Sequence, residues 1–163
     1  MSDTSTMSED ELAALVERAR ASGDPGALVS AIPYAAFLGL EIERDGDGVL
    51  GRMRYAEPLI GDASIPALHG GTIAALLEST ATLDVLWRFV GGSAEEVVLP
   101  RTITLTIDYL RTGRPVDTLC RARIVRRGKR VVVVSVSAYQ EDESRPIATA
   151  IVHVLVSGDR DRD

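Results

Sequence analysis

One stretch, residues 70–89, limits the possible folds of this chain more than any other. Two glycines open it, and good helix formers continue to about Phe89, with apolar residues on every face of the predicted helix. Its polar members are few: Thr72, Glu78, Ser79, Thr80, Thr82, Asp84 and Arg88. A helix that is apolar nearly all round is normally buried, so the sequence predicts one long helix enclosed by the rest of the domain.

A carboxylate lies in the middle of this helix, at Glu78. An unpaired carboxylate in an apolar setting is energetically costly. Glu78 is therefore either satisfied by hydroxyl groups such as that of Thr82 in a subunit interface, or retained as a general base or nucleophile.

The start of the helix has the features of an anion site. Gly70 and Gly71 occupy its first turn, where backbone N–H groups have no intrahelical acceptor. Because glycine has no Cβ, a ligand oxygen can come close to these donors, and the helix dipole adds positive potential. The pattern predicts backbone donors that polarise a carbonyl. We expect His69 to hold the turn or to touch the ligand.

Strand patterns flank the helix on both sides. Residues 40–44 and 49–55 precede it and are joined by Asp-Gly-Asp-Gly, a strong turn signal. Four more patterns follow it, at residues 97–110, 118–126, 131–140 and 147–156. The first of these alternates, which predicts that its apolar residues share one face and its polar residues the other. The apolar set is Ile103, Leu105, Ile107 and Tyr109 and the polar set is Thr102, Thr104, Thr106 and Asp108.

The first residues predict one more helix. Ser8 and Glu11 have the spacing of a capping box, and an apolar stripe runs from there to about Ala21. We therefore predict an α+β fold, in which a curved antiparallel sheet wraps around one long central helix. The extra N-terminal helix either packs on the domain as an accessory helix or is mobile at its edge.

Composition excludes several classes of function. A chain of 163 residues suits one domain, and a net charge of −6 argues against a nucleic-acid partner. One cysteine cannot form an internal disulfide, and no apolar run approaches a signal peptide or membrane helix. A cytoplasmic protein without a membrane or nucleic-acid partner is expected. Only two histidines are present, at His69 and His153, so we expect no metal site.

His-Gly-Gly at 69–71, with an acid nine residues after the histidine, resembles the hotdog-fold acyl-CoA thioesterases of the PaaI-like type, in the 4-hydroxybenzoyl-CoA thioesterase superfamily. Thr82 matches a Ser/Thr position of that family, and the resemblance extends over about residues 33–156. We accordingly divide the chain into an N-terminal tail and accessory helix (1–32), a hotdog domain (33–157) and a charged C-terminal tail (158–163).

The resemblance implies hydrolysis of an aryl- or medium-chain acyl-CoA thioester. Gly70, alone or with Gly71, would polarise the carbonyl, and Glu78 would act as base or nucleophile. Thr82 would orient Glu78, the water or the substrate, and His69 would shape the loop near the thioester. Coenzyme A would be a substrate moiety, with no cofactor required. Because the family builds one site from two subunits, the resemblance also implies a homodimer or homotetramer.

Basic side chains offer candidate contacts for the phosphates of coenzyme A. Four of them lie around a hairpin turn predicted at Arg127-Gly128-Lys129 and one lies on another loop. The alternative is that they form solvated basic surface. The candidates are Arg111, Arg126, Arg127, Lys129 and Arg130.

One position departs from the family pattern. Many members carry Asn or Gln six residues before the histidine, where this chain has Ala63 between Asp62 and Ser64. In the family this amide would orient the water or the carbonyl. Either Asp62 takes over that role here, or no residue does. Two alternatives therefore stay open: a non-catalytic protein that binds or senses acyl-CoA, and a hotdog hydratase or dehydratase, whose His and acid normally have another spacing.

Overall fold

A computed structural model describes residues 7–90 and 97–156. Its main sheet has six antiparallel strands: β1 (Leu40–Asp45), β2 (Gly48–Met53), β5 (Arg101–Tyr109), β6 (Thr118–Arg127), β7 (Val131–Tyr139) and β8 (Ala148–Leu155), in the spatial order β1-β2-β6-β7-β8-β5. A short second ribbon pairs β3 (Ile60–Asp62) with β4 (Ala67–Leu68). The predicted tail at 158–163 and the predicted break at 91–93 lie outside the described residues.

The central helix, α3, runs from Gly70 to Phe89, as the sequence predicts. Twelve of its residues are buried, because the alternating inward side chains of the sheet pack against it. The inward residues of β7 are Val132, Val134, Val136 and Ala138, and those of β8 include Val152 and Val154. The α+β architecture of a curved sheet around one long helix, with an added N-terminal helix, is confirmed.

Strand β5 corrects the predicted alternation. A bulge between Thr102 and Thr104 leaves Ile103 as the extra residue, and 55% of its side chain is exposed. Because a bulge reverses the side-chain register, Thr102 shares the inward face with Leu105 rather than with Thr104. The prediction that Ile103 belongs to the inward face is wrong, and the bulge turns a hydroxyl toward α3 instead.

The N-terminal segment packs on the domain through two helices. The first, α1 (Glu9–Ser22), begins with the predicted capping box: Glu11 N–H donates to Ser8 Oγ at 3.2 Å, and Ser8 N–H donates to Glu11 Oε2 at 2.7 Å. After a 3-10 turn (Gly26–Ala31), α2 (Pro33–Phe37) leads into β1. The sequence predicts no helix over Pro33–Phe37. From α1, the Arg20 guanidinium donates to the carbonyl oxygens of Trp87 and Val90 at the C-terminal end of α3.

The hairpin of β1 and β2 is fixed to α3 by a buried carboxylate. Asp84 is fully buried and accepts hydrogen bonds from Val49 N–H at 2.9 Å and from Arg88 Nε at 2.8 Å. Arg88 also pairs with Asp47 at the hairpin tip. Burial raises the pKa of Asp84, while the Val49 N–H and the Arg88 charge oppose that rise. In the described part of the chain, no helix is long and apolar enough to cross a membrane.

Candidate active site

The loop before α3 brings His69 to the helix through the β3–β4 ribbon. Leu68 N–H donates to Gly113 O at 2.9 Å, and His69 N–H donates to Leu59 O at 2.8 Å. Gly61 of β3 lies so close to His69 that an added Cβ would come within 2.7 Å of the His69 Cα. From Pro58, Gly61 and Pro66 the sequence predicts an irregular loop over residues 57–68. The β3–β4 ribbon corrects that prediction and fixes the position at which α3 begins.

His69 is the N-cap of α3 and satisfies one of the donors of the first turn. Its backbone is extended, and its Nδ1 accepts the Gly71 N–H at 2.8 Å. A neutral imidazole that accepts at Nδ1 carries its proton on Nε2. The exposed edge of the ring is therefore a donor, and the Gly71 N–H is already occupied.

The Gly70 N–H stands in contrast to that of Gly71. Among residues 7–90 and 97–156, no acceptor is found for it. The Tyr109 hydroxyl donates to Gly70 O at 2.8 Å, and the Tyr109 ring lies against the Gly70 Cα. The open donor of the first turn is therefore Gly70, held between the His69 cap and the Tyr109 side chain.

Glu78 lies two helical turns further along α3 and is half-buried rather than enclosed. Its carboxylate makes no hydrogen bond or ion pair within the described residues. It lines a cavity of about 230 Å³, together with Thr82, which is one turn further along and buried. Thr82 Oγ1 lies 3.5 Å from Thr102 Oγ1, so two hydroxyls face the cavity beside the carboxylate.

The donor and the acid do not converge on one point within a single chain. Eight residues separate Gly70 from Glu78, a rise of about 12 Å along the helix axis. The N–H of a first helical residue points away from the helix body, and hence away from Glu78. A carbonyl bound at Gly70 consequently lies beyond the reach of the Glu78 side chain of the same chain.

The predicted cations separate into two groups. Arg111 lies on the loop after β5, where its Nη1 donates to Pro146 O at 3.0 Å, at the same end of the domain as Gly70. Arg126, Arg127, Lys129 and Arg130 lie around the β6–β7 hairpin, where the Arg127 guanidinium stacks on Phe89 at 4.3 Å. Because α3 has 20 residues, about 30 Å separates its ends, so the two groups cannot serve one phosphate in one chain.

Asp62 is engaged in its own turn. Its Oδ1 accepts from Ser64 N–H at 2.9 Å and from Ser64 Oγ at 2.6 Å. The Ser64 hydrogen bonds lower the pKa of Asp62. Ala63 beside it is exposed and offers only a methyl group. Asp62, Ala63 and Ser64 thus provide no side-chain amide at the position, six residues before His69, where many members of the family carry Asn or Gln.

Two residues of this site were not singled out for it by sequence reasoning. Tyr109 is predicted on a strand, and Tyr109-Leu110-Arg111 resembles the family, but the sequence assigns Tyr109 no role in the site, although a large polar residue at the end of a strand is a usable signal. Gly61 is predicted only as a residue that interrupts regular structure in a loop, because nothing in the sequence indicates that His69 packs against it.

The sequence of this chain is similar to those of known proteins. A profile of the thioesterase superfamily matches residues 66–147. The medium/long-chain acyl-CoA thioesterase YigI of Salmonella typhimurium is 33% identical over 121 residues, which cover 69% of this chain and 78% of that protein. YigI of Escherichia coli K12 is 31% identical over the same shares.

Solved structures share the fold. A protein of Chromobacterium violaceum superposes with a TM-score of 0.67 at 30% identity, over 93% of this chain and 99% of that one. The E. coli PaaI protein from the phenylacetic acid degradation operon superposes with a TM-score of 0.68 at 15% identity, over 90% of this chain and 96% of that one.

Proposed function

This chain belongs to the thioesterase superfamily and is a thioesterase, and we propose that it hydrolyses the thioester bond of acyl-CoA. The observation that carries the proposal is the difference between the backbone N–H groups of Gly70 and Gly71 in the first turn of α3. His69 Nδ1 accepts the Gly71 N–H, while the Gly70 N–H has no acceptor within residues 7–90 and 97–156. A backbone donor at a helix N-terminus is suited to the oxygen of a carbonyl that gains negative charge.

Glu78 supplies the other half of the chemistry in this proposal. Its carboxylate is unpaired within the described residues and faces the cavity. As general base it takes a proton from water while the water oxygen adds to the carbonyl carbon; the carbon–sulfur bond then breaks and coenzyme A leaves as the thiol. As nucleophile its oxygen adds to the carbonyl carbon, the carbon–sulfur bond breaks and coenzyme A leaves; water then hydrolyses the resulting anhydride, which releases the acid and restores the Glu78 carboxylate. Thr82 lies one turn away to orient the water or the acid.

We further propose that each site combines Gly70 of one subunit with Glu78 of a second copy. Between these residues lies Ala74, a small and half-exposed residue of α3. Two antiparallel α3 helices that cross at Ala74 bring Gly70 of each helix opposite Glu78 of the other. Strand β5 is an edge of the sheet with an exposed Ile103, and a long unpaired edge favours pairing with another chain.

The phosphates of coenzyme A are assigned to the Gly70 end of the domain. Arg111 borders a cavity of about 290 Å³ that Arg114 and Arg145 also line. Arg114 is paired with Glu141 at 2.6 Å, whereas Arg111 and Arg145, the other two cations of this lining, have no carboxylate within ion-pair distance among the described residues, although Glu141 and Asp142 also line the cavity. Guanidinium groups bind phosphate well. The β6–β7 hairpin could take part only from another subunit.

The test of this function is thiol release from a panel of acyl-CoAs, with wild type compared to Glu78→Gln. Glutamine has nearly the same shape but cannot accept a proton or attack the carbonyl. We expect turnover to fall at least about a thousandfold, because base and nucleophile are both removed. Circular dichroism should show the same helix content, and undiminished turnover in a folded Glu78→Gln protein would contradict the role of Glu78.

Subunit sharing is tested by combining two inactive variants. Gly70→Pro removes the donor and Glu78→Gln removes the acid; the two chains are co-expressed with different tags, and mixed dimers are isolated through both tags. Each mixed dimer then has one intact site, so we expect about half of the wild-type activity per dimer. Mixed dimers without activity, from variants that fold alone, would place both residues of a site in one chain.

The position of Ala63 favours one alternative function. Without an amide there, the chain could bind acyl-CoA and turn it over poorly. Acyl-CoA binding by calorimetry without thiol release would support this binding protein instead. Restored turnover in Ala63→Asn or Ala63→Gln would then identify the missing group.

A further inference from the structure

We propose that Tyr34 of α2 selects the length of the acyl chain that the cavity beside Glu78 accepts. The inference rests on the proposed function, since it takes Glu78 as the group beside the thioester. It assigns a role to a segment that the sequence placed at the border of the accessory region and the domain.

The first step is the composition of the cavity beside Glu78. Beside Glu78, the described lining contains hydroxyl side chains and apolar ones. The hydroxyl residues are Ser79 and Thr82, within one turn of Glu78 on α3, and Thr102, whose Oγ1 lies 3.5 Å from that of Thr82; the apolar residues are Ile32, Tyr34, Leu99 and Pro100. Hydroxyls grouped near the carboxylate, with apolar side chains from other elements, fit a thioester beside Glu78 and a hydrocarbon chain against the apolar residues.

The second step is the absence of a positive charge. None of the eight described residues that line the cavity is basic, and Glu78 itself is acidic. An acyl group with a terminal carboxylate would bury a second negative charge there without a partner. The cavity therefore fits aliphatic and arylalkyl groups and disfavours dicarboxylic ones.

The third step is the position of Tyr34. It is the largest side chain in the lining, and Pro33 at the first turn and the fully buried Ala35 fix the helix that carries it. Its own side chain is 56% exposed, so replacing it alters the cavity without removing a core contact. Phe37 stacks on it with ring centroids 6.1 Å apart, is 81% exposed and does not line the cavity. Phe37 is therefore a matched control on the same helix.

The experiment measures kcat/KM on straight-chain acyl-CoAs from butyryl to palmitoyl, with phenylacetyl-CoA and glutaryl-CoA included. For Tyr34→Ala we expect the ratio of the longest chains to the best wild-type chain to rise about tenfold, and for Tyr34→Trp the preference to move to shorter chains. Phe37→Ala should keep the wild-type profile. Glutaryl-CoA should be turned over at least about tenfold more slowly than hexanoyl-CoA.

The outcomes separate this inference from the proposed function. If all variants hydrolyse acyl-CoA with one chain-length profile, Tyr34 is not a selectivity residue although the function stands. If glutaryl-CoA is as good as hexanoyl-CoA, the class of acyl group is wrong. If wild type releases no thiol, the proposed function fails, and calorimetric acyl-CoA affinities of the same variants decide the pocket: a chain-length shift in Tyr34→Ala alone supports it and an unchanged profile overturns it.

Discussion

The two ends of α3 treat their unpaired backbone groups in opposite ways. At the C-terminal end, the Arg20 guanidinium from α1 donates to the carbonyl oxygens of Trp87 and Val90, and Arg127 covers Phe89. At the N-terminal end, His69 takes the Gly71 N–H and leaves that of Gly70 without an acceptor in the described part of the chain. One end is closed by the protein, and the other keeps a backbone donor without an acceptor among the described residues, where we propose that a ligand oxygen binds.

This difference separates stability from function along one helix. A cation at a helix C-terminus satisfies carbonyl groups and complements the dipole. An open donor at the N-terminus contributes little to folding, but it leaves both a hydrogen bond and positive potential for an incoming oxygen. We therefore expect changes in the C-terminal half to alter the free energy of unfolding, and changes at Gly70 to alter turnover.

The largest effect on stability is expected at Asp84. In Asp84→Ala, the Val49 N–H loses its acceptor, and Arg88, whose side chain is only 16% exposed, loses its buried partner. Breaking such a pair by removing one member typically costs about 3 to 5 kcal/mol. Urea unfolding measures this loss, and kcat per folded molecule should stay at the wild-type value.

Asp84→Asn is the matched control for the charge. Asparagine keeps an oxygen for the Val49 N–H, and because burial raises the pKa of Asp84, part of the cost of the charge disappears with it. Its loss of stability should lie below that of Asp84→Ala. Equal losses in the two variants would mean that the charge on Asp84, rather than the hydrogen bond to β2, holds the hairpin.

At the N-terminal end of α3, Gly70→Pro removes the backbone donor. Proline is well tolerated at the first helical position, and His69 before it already has an extended backbone (φ −65°, ψ 134°) that suits a following proline. The substitution thus removes the open N–H without backbone strain, although the proline Cβ, like that of an alanine, lies about 3.3 Å from the Tyr109 ring, which must shift slightly. Loss of such a donor typically lowers kcat by about 10²- to 10³-fold, which steady-state thiol release measures.

Gly70→Ala distinguishes the donor from the side chain. Alanine keeps the N–H and adds a Cβ about 3.3 Å from the Tyr109 ring, which must shift slightly. We expect Gly70→Ala to retain most of the activity that Gly70→Pro loses. If the two variants lose activity equally, crowding against Tyr109 explains the effect and the backbone donor is not required.

The closed end was less predictable from sequence than the open one. The bounds of α3 and both hairpin turns were predicted correctly, because apolar periodicity and the Asp-Gly-Asp-Gly and Arg-Gly-Lys turns are local signals. The bulge at Ile103 was missed, since a strand that alternates in sequence gives no sign of an inserted register shift. The contact of Arg20 with Trp87 joins residues 67 positions apart, and no local pattern encodes it.

The candidate site divides in the same way. Glu78, Thr82 and the two glycines are marked by their place in one helix, and the structure keeps them there. Whether a given N–H is free depends on the His69 rotamer, which a sequence does not specify. The role of Tyr34 depends on how α2 packs beside Glu78, and that packing is set by distant contacts.

The smallest effect is expected from opening the C-terminal end. Arg20→Met keeps an apolar stem but removes the donors to Trp87 O and Val90 O. Hydrogen bonds from a charged group are worth about 1.5 to 3 kcal/mol, so the free energy of unfolding should fall by no more than this amount, with kcat unchanged.

Arg18 supplies the control, because it lies exposed on the same helix. Arg18→Met should change stability by less than about 0.5 kcal/mol. If Arg20→Met and Arg18→Met have the same free energy of unfolding, the carbonyls of the last turn are satisfied without α1. The C-terminal end of α3 would then not be closed by Arg20. If Arg20→Met instead lowers kcat in the folded protein, the two ends are coupled through α3, and Arg20 helps to position Glu78 as well as to cap the helix.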